Sequence, residues 1–223
     1  YGEALVELGR KNRNVVALEA DLGKSTMSCL FQEAFPERYF EMGIAEQNML
    51  STAAGLALTG KIPFVHSFAV FSTGRAYDQI RQTISIGKLN VKICGSSAGL
   101  SDFGDGATHQ SVEDIAIMRA IPNMTVLCPI DAIETKKMVK AMAEHDGPVY
   151  IRVNRNSYDN VTKAEDPFEI GVPTVLKEGS DAVVFATGIM AVKALEAAKE
   201  LEGKVSVKVV NVSTIKPLNQ RII

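Results

Sequence analysis

TVLCPIDAIETKKMVKAMAEHDGPVYIRV, residues 125–153, holds two short apolar runs separated by a segment of different period. TVLCP (125–129) and PVYIRV (148–153) are apolar almost throughout, as strands covered on both faces are. Between them Met138 and Met142 stand four apart on one helix face, and Asp131, just past Pro129, is a candidate cap for that helix. A buried strand, a helix and a second buried strand are the unit from which parallel sheets are built.

The same alternation extends outward over most of the chain. VVALEA (15–20), PFVHSF (63–68) and VKICG (91–95) read as further buried strands. Ala4, Leu5 and Leu8 share one helix face, and Tyr77, Ile80 and Ile84 share another. The expected fold is α/β, a three-layer sandwich with a mostly parallel sheet between helices. Residues 154–180 break the rhythm: they are polar and turn-rich, with Pro167, Gly171 and Pro173, and read as a connector. A second α/β pattern then begins with DAVVFATG (181–188), a helix near 190–201 and KVSVKVVNV (204–212). At about 45 residues this piece is too small for an independent α/β domain, so either the chain is a fragment with a truncated second unit or that piece leans on something else.

Composition narrows the function. Of 223 residues, 46% are apolar and 22% charged, enough for a sizeable core and unlike a disordered chain. A formal net charge of -2 provides no electrostatic grip on nucleic acid. No apolar run approaches ~20 residues, so no membrane span is expected. The chain opens directly with YGEALVEL, which does not resemble a signal peptide. Cys29, Cys94 and Cys128 are odd in number and lack metal-ligand spacing. Buried free thiols in a reducing cytoplasm are the expectation.

Several stretches invite a chemical reading. Gly23-Lys24-Ser25-Thr26 looks like the end of a phosphate-binding loop, but Leu18 stands where that motif needs its first glycine. What survives is a loop after a strand, where α/β sheets bind ligands, with Ser25 as a hydroxyl donor. Glu46 in MGIAEQNML opens a helix; a solvated carboxylate at a helix N-terminus is the ordinary reading, yet its small and apolar neighbours point to burial. Phe68 and Phe71 are either core or an aromatic wall for a planar ligand. RAYDQIRQ (75–82) suits a subunit contact or a solvated face. GSSAGLSDFGDGATHQ (95–110) follows a strand with almost no apolar anchor and gathers Asp102, Asp105 and His109 at the sheet's carboxyl edge. Structureless loops of about 16 residues are uncommon and usually functional. Arg155, just past PVYIRV, belongs to the same edge and could hold an anion.

MGIAEQNM, FAVF with RAYDQIR, CGSSAG with DGATHQ and ED, PNMTVLCPID and STIKPL resemble, in order and approximate spacing, the second half of transketolase. The likeness covers essentially the whole chain, and no single motif carries it. It implies a thiamine diphosphate pyrimidine-binding domain over residues 1–156, a linker over 157–180 and an incomplete start of the family's C-terminal domain over 181–223. By the same resemblance Glu46 contacts the aminopyrimidine ring, where a hydrogen bond to the ring nitrogen favours the imino tautomer that cofactor self-activation requires. A carboxyl kept protonated by an apolar setting does this best, which predicts a raised pKa. Phe71, with Phe68 behind it, matches the aromatic pair against the pyrimidine. His109 matches a catalytic and substrate-binding histidine, Asp105 a contact to sugar hydroxyls, and Ser25 and Arg155 groups near a sugar phosphate. Ser97 stands where many relatives place a substrate-facing histidine, a departure on the donor side.

Gly104-Asp105-Gly106 resembles the start of the family's metal signature, but Asn123 comes too early to complete it. Magnesium, or calcium, is therefore expected through a partner: an N-terminal transketolase subunit carrying the diphosphate-binding domain. The resemblance further implies a homodimer or heterotetramer, inactivity of the chain alone, and sugar phosphates as substrates. Related alternatives are deoxyxylulose phosphate synthase, the β chain of a 2-oxo acid dehydrogenase, and a non-catalytic assembly module.

Overall fold

The structure, a computed structural model, describes residues 1–219. In chain order the elements are α1 (Gly2–Lys11), β1 (Val15–Glu19), the single turn α2 (Gly23–Thr26), α3 (Cys29–Ala34), β2 (Tyr39–Glu41), α4 (Glu46–Leu58) and β3 (Ile62–Phe68). Two wide π-helical stretches follow, Phe71–Arg75 and Gln79–Ser85. Then come β4 (Lys92–Ser96), α5 (Asp114–Ala120), β5 (Thr125–Leu127), α6 (Ala132–Glu144) and β6 (Val149–Arg152). The remainder is β7 (Thr174–Lys177), β8 (Ala182–Ala186), α7 (Ile189–Glu200), β9 (Val207–Asn211) and β10 (Thr214–Lys216).

Seven strands form one sheet in the order β10-β5-β6-β4-β3-β1-β2, parallel throughout except for β10. Its central strands are mostly apolar on both faces because both are covered. Val16 and Leu18 of β1, Val65 of β3, Ile93 of β4, Val126 of β5 and Tyr150 of β6 pack with Met49, Leu50 and Ala53 of α4, with Ile80 and Ile84, and with Met118 of α5. Val15, Ala17, Phe64, Cys94, Leu127, Val149 and Ile151 point the other way, onto Leu5 of α1, Phe31 of α3 and Met138, Val139 and Met142 of α6. The two-residue alternation of strands thus divides one apolar run between two cores. This is the expected three-layer α/β sandwich.

The quoted βαβ unit forms as its residues dictate. Asp131 has extended backbone, and its Oδ1 accepts the Glu134 N–H at 2.8 Å, capping α6. Its other oxygen accepts the Val161 and Thr162 N–H groups at 2.9 and 2.7 Å, so the cap also ties down the chain beyond β6.

Two features differ from the sequence reading. The segment read as a connector carries β7, which pairs antiparallel with β9 beside the parallel β8–β9 pair. And β10 leaves that small sheet to add antiparallel to β5 of the large one. The short second unit is thereby stitched onto the first. The Cys128 N–H donates to the Ser213 carbonyl at 2.8 Å, and Asn211 Nδ2 donates to the buried Glu134 carboxylate at 3.1 Å. Both β7 and β10 are only three or four residues long, below what period-two reading resolves.

Candidate active site

β2 lies on one side of β1 and β3 on the other, so the strand order reverses at β1. In open parallel sheets the crevice outside the carboxyl ends at such a reversal is where ligands bind. Three segments issue there: the 20–28 loop after β1, the approach to α4 after β2, and Phe68 with its following turns after β3.

Glu46 is the first residue of α4, after Ala45 in a non-helical conformation, where the helix N-terminus favours a negative charge. Its carboxylate is 2% exposed. Ser67 Oγ donates to Oε1 at 3.4 Å, and Arg75 Nη1 stands 3.5 Å from Oε1 and 3.4 Å from Oε2. Phe68 and Phe71 form the wall beside it, ring centroids 5.9 Å apart and planes within 17°. His109 sets its edge against both, at 5.1 Å from Phe71 and 6.1 Å from Phe68. The Arg75 guanidinium lies over the Phe71 face at 4.2 Å from its centroid. The setting of Glu46 is thus not purely apolar: a cation and a hydroxyl reach it.

The wide turns after β3 matter for this arrangement. A π-helical turn carries more residues than an α-turn and recurs at functional sites. Here it spans Phe71–Arg75, with both end residues directed at the Glu46 crevice. Sequence periodicity does not reveal such a turn, and within RAYDQIRQ Arg75 reads as part of a subunit contact or a solvated face. The available signal was an arginine one helical turn past a phenylalanine at a strand end.

The glycine-rich loop is better ordered than its composition implies. Gly99 and Ser111 pair across its neck, with the Ser111 N–H donating to the Gly99 carbonyl at 3.1 Å. A short 3-10 turn, Gly106–Thr108, sits at its tip between Asp105 and His109. Ser97 holds a left-handed φ of 51° while buried, a strained conformation of the kind that clusters at ligand sites. Gly95 leaves no free space for a side chain, because a Cβ there would meet the ring and hydroxyl of Tyr150. Beneath the loop, Arg155 Nη1 donates to Asp102 Oδ1 at 2.8 Å and stands 3.7 Å from Asp105 Oδ2. Asp102 is fully buried, and its second oxygen has no partner among the described residues.

The candidate residues therefore fall into three groups. Phe68, Phe71 and His109 meet directly, and Glu46 joins them through Arg75, which reaches its carboxylate and lies over Phe71. Asp105 and Arg155 meet each other under the loop that carries His109, with Asp102 as the third member. Asp105 and His109 flank one turn but share no hydrogen bond; His109 Nδ1 bonds Thr108 Oγ1 at 2.9 Å. Ser25 is exposed on α2, and no hydrogen bond or ion pair among the described residues ties it to either group. Its loop is held from below by Glu19. That buried carboxylate accepts the Thr26 and Ser28 hydroxyls, each at 2.5 Å, and the Ala20 N–H at 2.9 Å. Burial raises its pKa, against the pull of the Ser28 and Thr26 bonds.

Of the three histidines, His109 alone faces this crevice. His66 is enclosed within the sheet, its Nδ1 against the Leu18 carbonyl at 3.0 Å and Nε2 against the Tyr1 hydroxyl at 2.9 Å. Burial holds its pKa down at about 4, so it is a neutral core residue. His145 lies beyond the far end of α6. Among the described residues no group of three or more His, Cys, Asp or Glu could hold a metal ion, and none of the helices is long and apolar enough to cross a membrane. A cavity of about 490 Å³ between α1 and α6, lined by Leu8, Lys11, Ile133 and Lys140 among others, shares no residue with the Glu46 group.

Comparison with known proteins gives this crevice a context. Residues 1–160 match the family model "Transketolase, pyrimidine binding domain", and residues 171–223 match "Transketolase, C-terminal domain". A putative transketolase C-terminal section from Methanocaldococcus jannaschii is 48% identical over 226 residues, covering 100% of this chain and 72% of that protein. A 6-deoxy-6-sulfo-D-fructose transketolase subunit, SqwH, from a Clostridium species is 41% identical, covering 100% of this chain and 70% of that subunit. Among solved structures, a split gene transketolase described as an inactive beta4 tetramer superposes with a TM-score of 0.91 at 50% identity, covering 100% of this chain and 72% of that one.

Proposed function

The chain belongs to the transketolase family, and on that premise we propose that it is the pyrimidine-binding half of a two-chain transketolase. It would transfer a two-carbon ketol unit between ketose and aldose phosphates once joined to an N-terminal subunit that brings the diphosphate and Mg²⁺ site. The observation that supports this most is the buried Glu46 carboxylate, joined through Arg75 to the Phe71–Phe68 wall and the His109 edge, at the reversal point of a parallel sheet. A flat, nitrogen-bearing heterocycle fits such a seat: an aromatic face for stacking, and a carboxyl for a ring nitrogen.

When bound, thiamine diphosphate supplies the thiazolium carbon that carries the two-carbon unit. The residues of this chain do the rest. Phe71, backed by Phe68, orients the pyrimidine. Glu46 holds a proton at the ring nitrogen. His109, at the edge of the wall, accepts or returns a proton at a substrate hydroxyl. Arg155 already gives one donor edge to Asp102, which leaves the other donors of its guanidinium for an anionic group at the far end of the sugar. Asp105 and Ser25 offer polar contacts nearby. The sulfonate in the Clostridium relative's name makes the end group a variable of the site, so phosphate and sulfonate substrates both belong in the assay. Three free cysteines, two of them buried, accord with a reducing cytoplasm.

The test is to mix the full-length subunit with its N-terminal partner, thiamine diphosphate and Mg²⁺, and measure ketol transfer. Activity is expected in the mixture and not with this subunit alone. Two folded chains without activity would overturn the proposal. Glu46→Gln is expected to abolish turnover while leaving assembly intact. Assembly with no turnover in the parent protein would favour the second reading, a non-catalytic assembly module. That reading draws on the inactive tetramer of the split-gene relative.

A further inference from the structure

Arg75 holds a position that the proposed function does not use. Its guanidinium is flat, carries N–H donors on a planar N–C–N edge, lies 4.2 Å from the Phe71 centroid and directs Nη1 at both oxygens of Glu46. These are the two features the seat offers a pyrimidine: an aromatic face to stack on and a buried carboxylate for a nitrogen edge. Glu46 is 2% exposed and has no other basic partner among the described residues, and a carboxylate so enclosed is costly without one. The Arg75 side chain, by contrast, is 47% exposed, with solvent beside it. Its anchor is one wide π-helical turn, Phe71–Arg75, which lets the guanidinium fold back over the ring at the start of the same turn.

We propose that Arg75 is a built-in stand-in for the cofactor's aminopyrimidine: it occupies the Glu46–Phe71 seat when the cofactor is absent, leaves it on binding, and so sets cofactor affinity. Stand-in and ring need the same face of Phe71 and the same carboxylate, so they exclude each other. The arrangement keeps the buried Glu46 compensated before the cofactor arrives and makes thiamine diphosphate displace an internal competitor. This inference rests on the reading of Glu46 and Phe71 as the pyrimidine seat.

The test uses the assembled two-chain enzyme in Mg²⁺, titrated with thiamine diphosphate in a calorimeter, for the parent, Arg75→Ala, Arg75→Lys and Glu46→Gln. R75A is expected to bind about five-fold more tightly, the scale of one exposed cation–π contact plus one half-exposed ion pair. R75K keeps the charge but not the flat donor edge and is expected to fall between parent and R75A, which preserves the test should R75A fold poorly. A second readout is thermal: R75A melts below the parent without cofactor, and the difference closes at saturation. Weaker or unchanged binding in both Arg75 variants, or a melting difference that persists at saturation, would overturn the stand-in. If E46Q weakens binding in the same experiment, the seat itself stands. If E46Q leaves affinity unchanged, the seat and the stand-in fall together.

Discussion

Asp114→Ala should be among the most damaging single changes in the scaffold under the glycine-rich loop. Asp114 opens α5 directly after that loop and is fully buried. Its oxygens accept Arg152 Nε at 3.2 and 2.9 Å, and Oδ2 also accepts the Tyr150 hydroxyl at 2.8 Å. Arg152 is 17% exposed and Tyr150 is fully enclosed. Removing one partner of a buried ion pair costs about 3–5 kcal/mol, because the other charge stays buried and uncompensated. Leaving the Tyr150 hydroxyl unpaired adds about 1 kcal/mol or more. The residual exposure of Arg152 lets water recover part of this, so about 3–4 kcal/mol is expected.

Urea unfolding followed by far-ultraviolet circular dichroism suits a chain without tryptophan. With a slope of about 2–3 kcal/mol per molar, the midpoint should fall by more than about 1 M, compared at one protomer concentration. The double variant Asp114→Leu/Arg152→Met separates mechanism from damage. Replacing both members of a buried pair by apolar groups is often neutral, so the double variant should recover most of the lost stability. A D114A protein within about 1 kcal/mol of the parent would refute the reasoning. So would a double variant less stable than D114A.

The remaining expectations are briefer. Lys92 is enclosed, donating to the His145 and Gly147 carbonyls at 2.7 Å each, and burial brings its pKa down to about 7. Its folded pKa lies below the unfolded value, so the unfolded chain binds more protons between about pH 7 and 10.5, and stability should rise with pH there. Lys92→Met should remove that slope, up to about 1.4 kcal/mol per pH unit, in paired melts from pH 7 to 8.5; parallel curves would refute it. Gly95→Ala should destabilise by about 1–3 kcal/mol or more, since its methyl would meet the Tyr150 ring and hydroxyl inside a closed core. Asp131→Ala should cost about 1–2 kcal/mol for the lost α6 cap, and hydrogen exchange at Val161 and Thr162, whose N–H groups it accepts, should quicken.

The central sheet was legible because its strands are covered on both faces and so read as unbroken apolar runs. The grouping of Glu46, Phe68 and Phe71 comes from the family resemblance, because the residues alone read as a solvated carboxylate at a helix N-terminus and a Phe pair that is either core or ligand wall. What escaped reading is what periodicity does not encode. β2, β7 and β10 have three or four residues, too few to show alternation. The π-helical turns break the 3.6 period that sequence reading assumes, and Arg75 was lost with them. Asp102 reads as one more polar residue of a glycine-rich loop, and only the fold reveals it as the buried partner of Arg155.

The second unit is joined to the first at one helix N-terminus. Its small sheet has three strands, and Val183, Val184 and Phe185 of β8 are left substantially exposed. The attachment is made by polar groups as much as by packing. β10 extends the large sheet, Lys216 Nζ donates to the Arg119 and Ile121 carbonyls at 3.0 and 2.5 Å behind α5, and Glu134 accepts from the Ile130 N–H and from Asn211. Glu134 occupies the first turn of the helix that Asp131 caps. One helix N-terminus therefore orders its own first turn, the chain beyond β6 and the base of the second unit. The βαβ stretch that identifies the fold is also the joint on which the rest of the chain is mounted.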